Sequence, residues 1–177
     1  MLADCMKPSL VPLDHIPPDA VEALLDSVFG VDRHQRTAYQ VRDGMTAISS
    51  LSFAALAPTT HDLVGSIQCW PVQLTTTQDI YPLIMVGPVA VHPDHQDVGI
   101  GRALMWRVIE LAAADTGLAG RDGLMLIGDP DYYGRLFGFS DAHTGGWRLP
   151  GPFERHRLLA LGDAIPALPG IVGPRTR

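Results

Sequence analysis

The sequence predicts a single domain of the α/β (α+β) class, in which a mixed central sheet is flanked by helices. Three observations lead to this prediction. Residues 81–91 are almost continuously apolar and rich in β-branched side chains, as expected for a central strand buried on both faces. From Ile100 to Gly117, apolar residues repeat at helical spacing. Residues 123–128 form a second short apolar strand, so residues 81–128 predict a right-handed βαβ unit.

The segments before this unit predict a helix and a hairpin. Residues 18–29 carry apolar side chains at helical spacing, begin with proline and acidic residues, and stop at a glycine. The polar segment 31–44 ends at a turn signal, and the sequence does not decide whether this segment is ordered. Its charged part, "DRHQR" at 32–36, is interpreted as solvated surface. Residues 46–57 and 61–72 predict antiparallel strands joined by a short connection.

Two further features concern the strand at 81–91 and the region after the βαβ unit. Because proline cannot donate to a strand ladder, Gly87-Pro88 predicts a bulge or a splay within that strand. The stretch "DPDYYGRLF" predicts a short helix starting at Asp129-Pro130, and "RHRLLALGD" predicts another strand. The chain is thereby divided into an N-terminal extension (1–17), a domain (18–161) and a Gly/Pro-rich tail expected to be loosely held (162–177).

Composition narrows the function classes. The chain has 177 residues, 46% of them apolar, which is enough for a sizeable core. Its net charge of -6, with 13 Lys and Arg, argues against a nucleic-acid partner. Cys5 and Cys69 show no metal-binding or disulfide spacing, and no apolar run approaches the length of a membrane span. We therefore expect a cytoplasmic protein with no metal site and no membrane contact.

The stretch "QDVGIG", Gln96–Gly101, lies where the apolar strand gives way to the helix. Backbone N–H groups of such a turn and of the first helical turn have no internal acceptors, and they attract an anion. Gly99 and Gly101 lack the Cβ atoms that would keep a phosphate from the backbone. No GK[ST] follows, and Leu104 stands where a dinucleotide fingerprint needs its third glycine. The turn predicts a phosphate or pyrophosphate site of another kind.

Two ordered motifs resemble one family. "VAVHPDHQDVGIGRALM", residues 89–105, resembles motif A of the GNAT superfamily of acyl-CoA-dependent N-acetyltransferases, in which V-x-V-x-P is followed by Q/R-x-x-G-x-G/A at the start of a long helix. Gln96, Gly99 and Gly101 all match. "DPDYYGRLFGF" resembles the family's second signature, a short helix that bears a tyrosine and precedes a Gly-Phe pair. The resemblance covers roughly residues 18–161.

The resemblance implies a GNAT-like fold with a splayed central strand. It implies acetyl-CoA as the acyl-donor cosubstrate, without a metal, and direct attack of an amine on the thioester in a ternary complex. The pantetheine arm would meet the strand, and the pyrophosphate would meet the turn. The cofactor-binding residues that it implies are Val89, Ala90, Val91, Gln96, Asp97, Val98, Gly99, Ile100, Gly101 and Arg102.

The family also implies that a tyrosine of the second signature protonates the departing thiolate, and that a strand amide near Val89 or Ala90 binds the oxyanion. Tyr133 is the first candidate and Tyr132 the reserve. Tyr133 lies five residues before Gly138, whereas the family usually has four, and a π-bulge or an altered helix end would absorb the difference. The glutamate that many members carry on the central strand has no counterpart, which favours a relayed proton. Candidates for the relay are His61, Asp62, Asp79 and His92.

Several alternatives stay open beside this interpretation. The stretch "HPDHQD" invites a metal site, but a solvated turn explains it. Ser140, Asp141 and His143 resemble a hydrolytic set only in composition. A non-catalytic acyl-CoA-binding sensor or partner-binding module is the alternative function. The acceptor is a small-molecule amine or a protein or peptide amine, with the acidic balance favouring a cationic one, and a homodimer is an open option.

Overall fold

The structure, a computed structural model, describes residues 7–176, within which the chain forms four α-helices and eight β-strands. The helices are α1 (Pro18–Phe29), α2 (Thr37–Val41), α3 (Ile100–Ala114) and α4 (Pro130–Phe137). The strands are β1 (Ser9–Pro12), β2 (Phe53–Leu56), β3 (Leu63–Thr75), β4 (Ile80–Val91), β5 (Leu124–Ile127), β6 (Trp147–Arg148), β7 (Leu158–Leu161) and β8 (Gly170–Pro174).

The strands form one mixed sheet. Its order is β1-β2-β3-β4-β5-β7, while β8 pairs with both β3 and β6. Most pairs are antiparallel, but β4 and β5, which α3 connects, run parallel. The predicted mixed α/β fold, with helices flanking a central sheet, is confirmed.

The chain divides into two compact units, and β3, β4 and α3 contribute residues to both. The first unit contains residues 7–33, 48–69 and 87–111. Its α1 has the predicted bounds and is followed by Gly30, whose φ of 90° suits the glycine that ends a helix. The buried face of α1 packs against β4 through Val21, Leu24, Leu25 and Ala90.

Arg33 corrects the interpretation of "DRHQR" as solvated surface. Only 2% of this residue is exposed. Its guanidinium donates to Asp26 Oδ1 at 2.9 Å and to the carboxylate of Glu22, both on α1. A buried cation requires such partners, and the two carboxylates of α1 supply them. The other residues of that stretch are exposed, as predicted.

The second unit contains residues 34–47, 70–86 and 112–176. Its core is built on the inner faces of the strands and on α2. The buried members of this core are Val41, Val72, Leu74, Leu83, Met85, Met125, Trp147, Leu158, Ala160 and Val172. The fully buried Trp147 satisfies its indole N–H by donating to the Pro166 carbonyl at 3.1 Å.

Two predicted segments differ from the structure. The strand expected over 46–57 is confined to β2, because Ser49–Leu51 form a 3₁₀ turn in which the Ser52 hydroxyl donates to the Ile48 carbonyl. The tail 162–177, expected to be loosely held, contains β8. β8 pairs with β3 in the register Val72↔Pro174 to Thr75↔Ile171. Cys5, for which no disulfide or metal role was predicted, lies outside the described residues.

Backbone N–H groups that should point to the same side of β4 point to opposite sides at its two ends. The N–H of Ile84 donates at 2.9 Å to the carbonyl of Gly123, beside β5. The N–H of His92, just after β4, donates at 2.8 Å to the Val64 carbonyl of β3 instead. Residues an even number of positions apart in a regular strand direct their N–H groups to the same side. A one-residue irregularity therefore lies between them, and Gly87, with a φ of 121°, lies in this interval. The bulge or splay predicted at Gly87-Pro88 fits this change of direction.

Candidate functional site

The turn between β4 and α3 leaves the N–H groups at the start of the helix without internal acceptors. The Gly99 carbonyl accepts the N–H of Ala103 at 3.0 Å, so the helix starts directly after Gly99. N–H groups of the first helical turn have no carbonyl to bond within the helix. No acidic residue lies in this first turn, so it offers no carboxylate to the positive end of the helix dipole. We call residues 96–102 the glycine turn.

Gly99 combines a conformation that favours glycine with open space. Its φ is 86°, and a Cβ built on it would meet no heavy atom within 4 Å. Asp97 also has a positive φ, of 66°, which aspartate tolerates better than most residues. Val98 between them is 67% exposed. The glycine turn therefore presents its backbone to solvent, with room for an anion.

The start of α3 is held in place by a close approach to β3. Ile100 is only 4% exposed. A Cβ on Gly65 would lie 2.8 Å from Ile100 Cγ2, closer than real Cβ atoms come, and 3.2 Å from the Ala90 carbonyl oxygen, which is a tight contact. Gly65 was not among the predicted site residues. The one feature of the sequence that could have indicated its role is that it is a glycine inside a strand pattern. Such a glycine often marks a place where another part of the chain approaches the strand closely.

The end of β4 presents Val89 and Val91 to the side away from β3. The N–H of His92 and the carbonyl of Ala90 both face β3. Because backbone groups alternate along an extended strand, those of Val89 and Val91 face the opposite side. The Val91 carbonyl accepts the Gln96 side-chain amide at 3.3 Å, which ties the glycine turn to the strand. Of the three predicted strand residues, Val89 and Val91 thus direct their backbone groups away from β3, whereas Ala90 directs its carbonyl toward it.

The parallel ladder between β4 and β5 is short. In the described chain it consists of the register pairs Ile84↔Leu124 and Met85↔Met125. β5 continues to Ile127 in an antiparallel ladder with β7. The ladder with β4 thus ends before the bulge, which fits the splay expected there.

The second unit carries the tyrosine helix α4. The Asp129 carboxylate accepts the N–H of Asp131 at 3.0 Å and caps the start of the helix. At the other end, Gly138 takes the left-handed conformation, and its N–H points to the carbonyls of both Gly134 and Tyr133. The N–H of Phe139 also donates to the Tyr133 carbonyl, at 3.3 Å. These longer-range bonds widen the last turn relative to a regular α-helix, so an altered helix end absorbs the extra residue before Gly138.

Tyr133 is the more buried of the paired tyrosines. Its ring meets the Tyr132 ring edge-on, with centroids 4.9 Å apart, and the Phe139 ring at 6.3 Å. Burial raises the pKa of Tyr133 to about 12, with further increases from Tyr132 and Asp129 and an opposing effect from Arg157. Tyr133 is therefore protonated at neutral pH and can act as a hydrogen-bond donor. Tyr132 is 38% exposed.

Comparison with known families decides the identity of this fold. Residues 18–119, more than half of the chain, match the acetyltransferase (GNAT) domain. The chain belongs to the GNAT acetyltransferase family. Comparison with curated proteins finds no significant match for this GNAT chain.

Solved structures agree with this assignment at the level of the fold. A GNAT family N-acetyltransferase (YhbS) from Escherichia coli, in complex with CoA, has a TM-score of 0.71 at 22% identity, covering 96% of this chain and 91% of that one. A GNAT family acetyltransferase from Brucella melitensis, in complex with acetyl-CoA, has a TM-score of 0.58 at 22% identity, covering 96% of each chain. A GCN5-related N-acetyltransferase from Kribbella flavida reaches 0.55 at 20% identity over 78% of this chain and 34% of its own.

The proton-relay candidates of this GNAT chain occupy different turns. His61, with a φ of 62°, and Asp62 lie exposed in the turn between β2 and β3. Asp79 lies exposed in the turn between β3 and β4, where its N–H donates to the Thr76 hydroxyl at 3.0 Å. His92 follows β4 and is half-buried. The sequence singled out these residues by type alone.

His92 already has a structural role. Its Nδ1 accepts the N–H of Asp94 at 3.2 Å and caps the short 3₁₀ helix Pro93–His95. A neutral imidazole has one acceptor nitrogen, so this bond assigns the proton to Nε2. In this arrangement His92 has its Nε2–H available as a donor, and Nδ1 is engaged in the cap.

The described residues contain no group of three or more His, Cys, Asp or Glu side chains that could hold a metal ion. Among the helices of residues 7–176, none has both the length and the apolar composition of a membrane span. Ser140, Asp141 and His143 lie exposed in one loop, where Ser140 forms a backbone bridge with Ala160.

Proposed function

We propose that this GNAT chain is an N-acetyltransferase that moves an acetyl group from acetyl-CoA to an amine by direct attack in a ternary complex. The glycine turn at the start of α3 carries the proposal, because its N–H groups have no carbonyl partner within the helix and Gly99 has open space beside it, directly after the strand of motif A. Solved relatives that hold CoA and acetyl-CoA support acetyl-CoA as the donor.

The glycine turn fits a pyrophosphate. Amides at the start of α3 would donate to phosphate oxygens, and the exposed Arg102 in the first turn would add a positive charge. Gln96, bonded to Val91, would keep the turn against the strand. Asp97 is the one acidic residue of the turn, and its exposed position lets its carboxylate turn to solvent. The remaining predicted residues, Val98, Ile100 and Gly101, would contribute backbone groups or packing.

A backbone N–H of β4 would stabilise the acyl group of the donor during the reaction. Acetyl-CoA supplies a thioester whose carbonyl oxygen gains negative charge as an amine attacks the carbon. A preorganised backbone N–H stabilises such a charge. Of the amides named in the sequence analysis, that of Val89 faces away from β3 and is the proposed donor, whereas Ala90 faces β3.

The attacking amine must first lose a proton. A lysine-like amine has a pKa of about 10.4, so deprotonation at pH 7 costs about 4.6 kcal/mol. β4 contributes no carboxylate, since its sequence from Ile80 to Val91 contains no Asp or Glu. We propose that a water chain carries the proton to the exposed His61, Asp62 or Asp79.

Tyr133 would stabilise the departing sulfur. As nitrogen bonds to the carbonyl carbon, the carbon–sulfur bond breaks and sulfur keeps the electron pair. A phenol whose pKa is about 12 donates a hydrogen bond to a thiolate. It does not readily give up its proton, because a thiol has a pKa of only about 8.5. We therefore propose Tyr133 as a hydrogen-bond donor, with the proton that sulfur finally takes coming from water.

The experiment is release of CoA thiol from acetyl-CoA with a panel of amines. We expect Tyr133→Phe to lower kcat by about 10²-fold, the lower range for loss of one hydrogen-bond donor to a charge that develops in the transition state. Tyr132→Phe removes the same atom from the neighbouring, more exposed ring and serves as the matched control. If Tyr132→Phe loses activity and Tyr133→Phe does not, the donor is Tyr132.

A second candidate is a non-catalytic acyl-CoA sensor or partner-binding module. The observation that favours it is the lack of a carboxylate on β4. It predicts tight acetyl-CoA binding but no thiol release with any amine, in wild type and in Tyr133→Phe alike. Turnover with even one amine would exclude it.

The acceptor is proposed only as a class. Both small-molecule amines and protein or peptide amines belong in the panel, and the net charge of -6 favours cationic acceptors such as polyamines. We also propose a cytoplasmic location, supported by Cys69, which is a buried free thiol. Neither nucleic acid nor a membrane is a proposed partner, and a homodimer is tested by sedimentation.

A further inference from the structure

Gly128 lies between β5 and the capping residue of α4, beneath the ring of Tyr133. A Cβ built on Gly128 would overlap Tyr133 Cε2, and it would lie 2.7 Å from Cδ2 of the same ring. Both distances are shorter than real Cβ contacts allow. The Tyr133 ring therefore lies against a stretch of backbone that only glycine leaves open.

The backbone conformation at Gly128 does not itself require glycine. Its φ lies outside the positive range that side chains avoid, unlike those of Gly99 and Gly138. Gly128 is buried, and its N–H donates to the Arg157 carbonyl at 2.9 Å, as any residue's N–H would. The nearest atoms to such a Cβ belong to the Tyr133 ring, and Leu126 Cδ1 follows at 3.1 Å, so the ring is the main feature that favours glycine at this position.

Three aromatic rings also lie next to the Tyr133 ring. Tyr132 and Phe139 meet it edge-on, and Phe137 lies at a tilt, with centroids 6.2 Å apart. Aromatic neighbours pack against a ring, but each neighbouring ring can rotate about its own side-chain torsions. The Gly128 backbone is the rigid surface of this set.

We propose that Gly128 is a positioning residue for acetyl transfer: having no side chain, it lets the Tyr133 ring seat against the end of β5 and so fixes where the phenolic hydroxyl lies. The proposal rests on the proposed role of Tyr133. It adds that the hydroxyl position depends on the glycine directly before "DPDYYGRLFGF", a residue that neither sequence signature includes.

Gly128→Ala is the test variant, and Gly145→Ala is its control. Gly145 also lies in the second unit, has no positive φ in the strained range, and a Cβ on it would meet nothing within 4 Å. We expect Gly128→Ala to lower kcat by about 10²-fold, the effect of a displacement of about 1 Å, while KM for acetyl-CoA stays unchanged. Gly145→Ala should match wild type. Wild-type kinetics in Gly128→Ala would overturn the proposal.

A double variant separates positioning from general damage. If Gly128 acts through the Tyr133 hydroxyl, adding Gly128→Ala to Tyr133→Phe should cost little further kcat. If the two losses multiply instead, Gly128 acts by another route and the proposal is wrong. Should Gly128→Ala fold poorly, the clash account predicts that Tyr133→Ala restores its unfolding midpoint. Failure to restore it would contradict the account.

Titration of the Tyr133 phenol tests the position of its ring independently of catalytic activity. The difference in ultraviolet absorbance between wild type and Tyr133→Phe isolates the ionisation of Tyr133, which burial places at a pKa of about 12. In Gly128→Ala a displaced, more solvated ring should titrate closer to about 10, the ordinary value. An unchanged titration would overturn the proposal. If wild type shows no turnover with any amine but the titration shifts, the proposed function fails while the seating of the ring stands.

Discussion

The two helices that follow the parallel strands β4 and β5 begin in opposite ways. α4 starts after Asp129, whose carboxylate accepts an N–H of the first turn at 3.0 Å, and Pro130 and Asp131 follow. α3 starts after Gly99, with no acidic residue in its first turn and open space beside the glycine. One helix start is closed by its own side chain, and the other leaves its N–H groups to an external group.

This difference concerns how each helix start satisfies its first N–H groups. Asp129 neutralises the dipole of α4 and leaves little reason for an anion to bind there. The first helical turn of α3 contains no acidic residue, and Gly99 has a positive φ with open space beside it. This contrast is the reason for proposing the glycine turn, and not the start of α4, as the phosphate site.

The largest effect on stability should come from disturbing the place where α3 begins. Gly65→Ala would put a methyl group 2.8 Å from Ile100 Cγ2. We expect the free energy of unfolding to fall by about 2 kcal/mol, typical of overpacking in a core, as measured by urea denaturation. Gly173→Ala, a strand glycine whose Cβ would meet nothing within 4 Å, is the control. Equal stability of both variants would show that packing at Gly65 does not position α3.

A smaller effect should come from removing the cap of α4. Asp129→Ala takes away the carboxylate that accepts the Asp131 N–H, and we expect a loss of about 1 kcal/mol in the free energy of unfolding. Asp129→Asn keeps an acceptor oxygen and should recover most of it. Acetyl-CoA affinity should be the same in all three proteins. A change in affinity with Asp129→Ala would mean that the start of α4 also takes part in binding.

The features that were predictable from the sequence depend on local patterns. The bounds of α1, the apolar strand at 81–91 with its interruption, and the start of α3 all follow from periodicity and from the placement of glycine and proline. The glycine turn was recognisable because its glycines lie directly between a strand pattern and a helix pattern. Its conformation at Gly99 agrees with that expectation.

The features that were missed depend on distant partners. Arg33 looked like surface because its carboxylate partners Glu22 and Asp26 lie on the preceding helix, and only folding brings them around the guanidinium. β8 could not be predicted because its Gly- and Pro-containing sequence has no strand pattern and its partners lie in β3. Gly65 was not singled out because the Ile100 side chain that excludes a Cβ there lies in α3, 35 residues further along the chain.

The most direct test of the central claim is calorimetric titration with acetyl-CoA of wild type, Gly99→Glu and Gly44→Glu. Gly44 is the matched control, because its φ of 72° is also positive and a Cβ on it also meets nothing within 4 Å. We expect micromolar-range binding by wild type and Gly44→Glu, and an affinity about 10²-fold lower for Gly99→Glu, which is about 2.8 kcal/mol. Equal binding by all three proteins, or none by wild type, would contradict the assignment of the glycine turn as the pyrophosphate site.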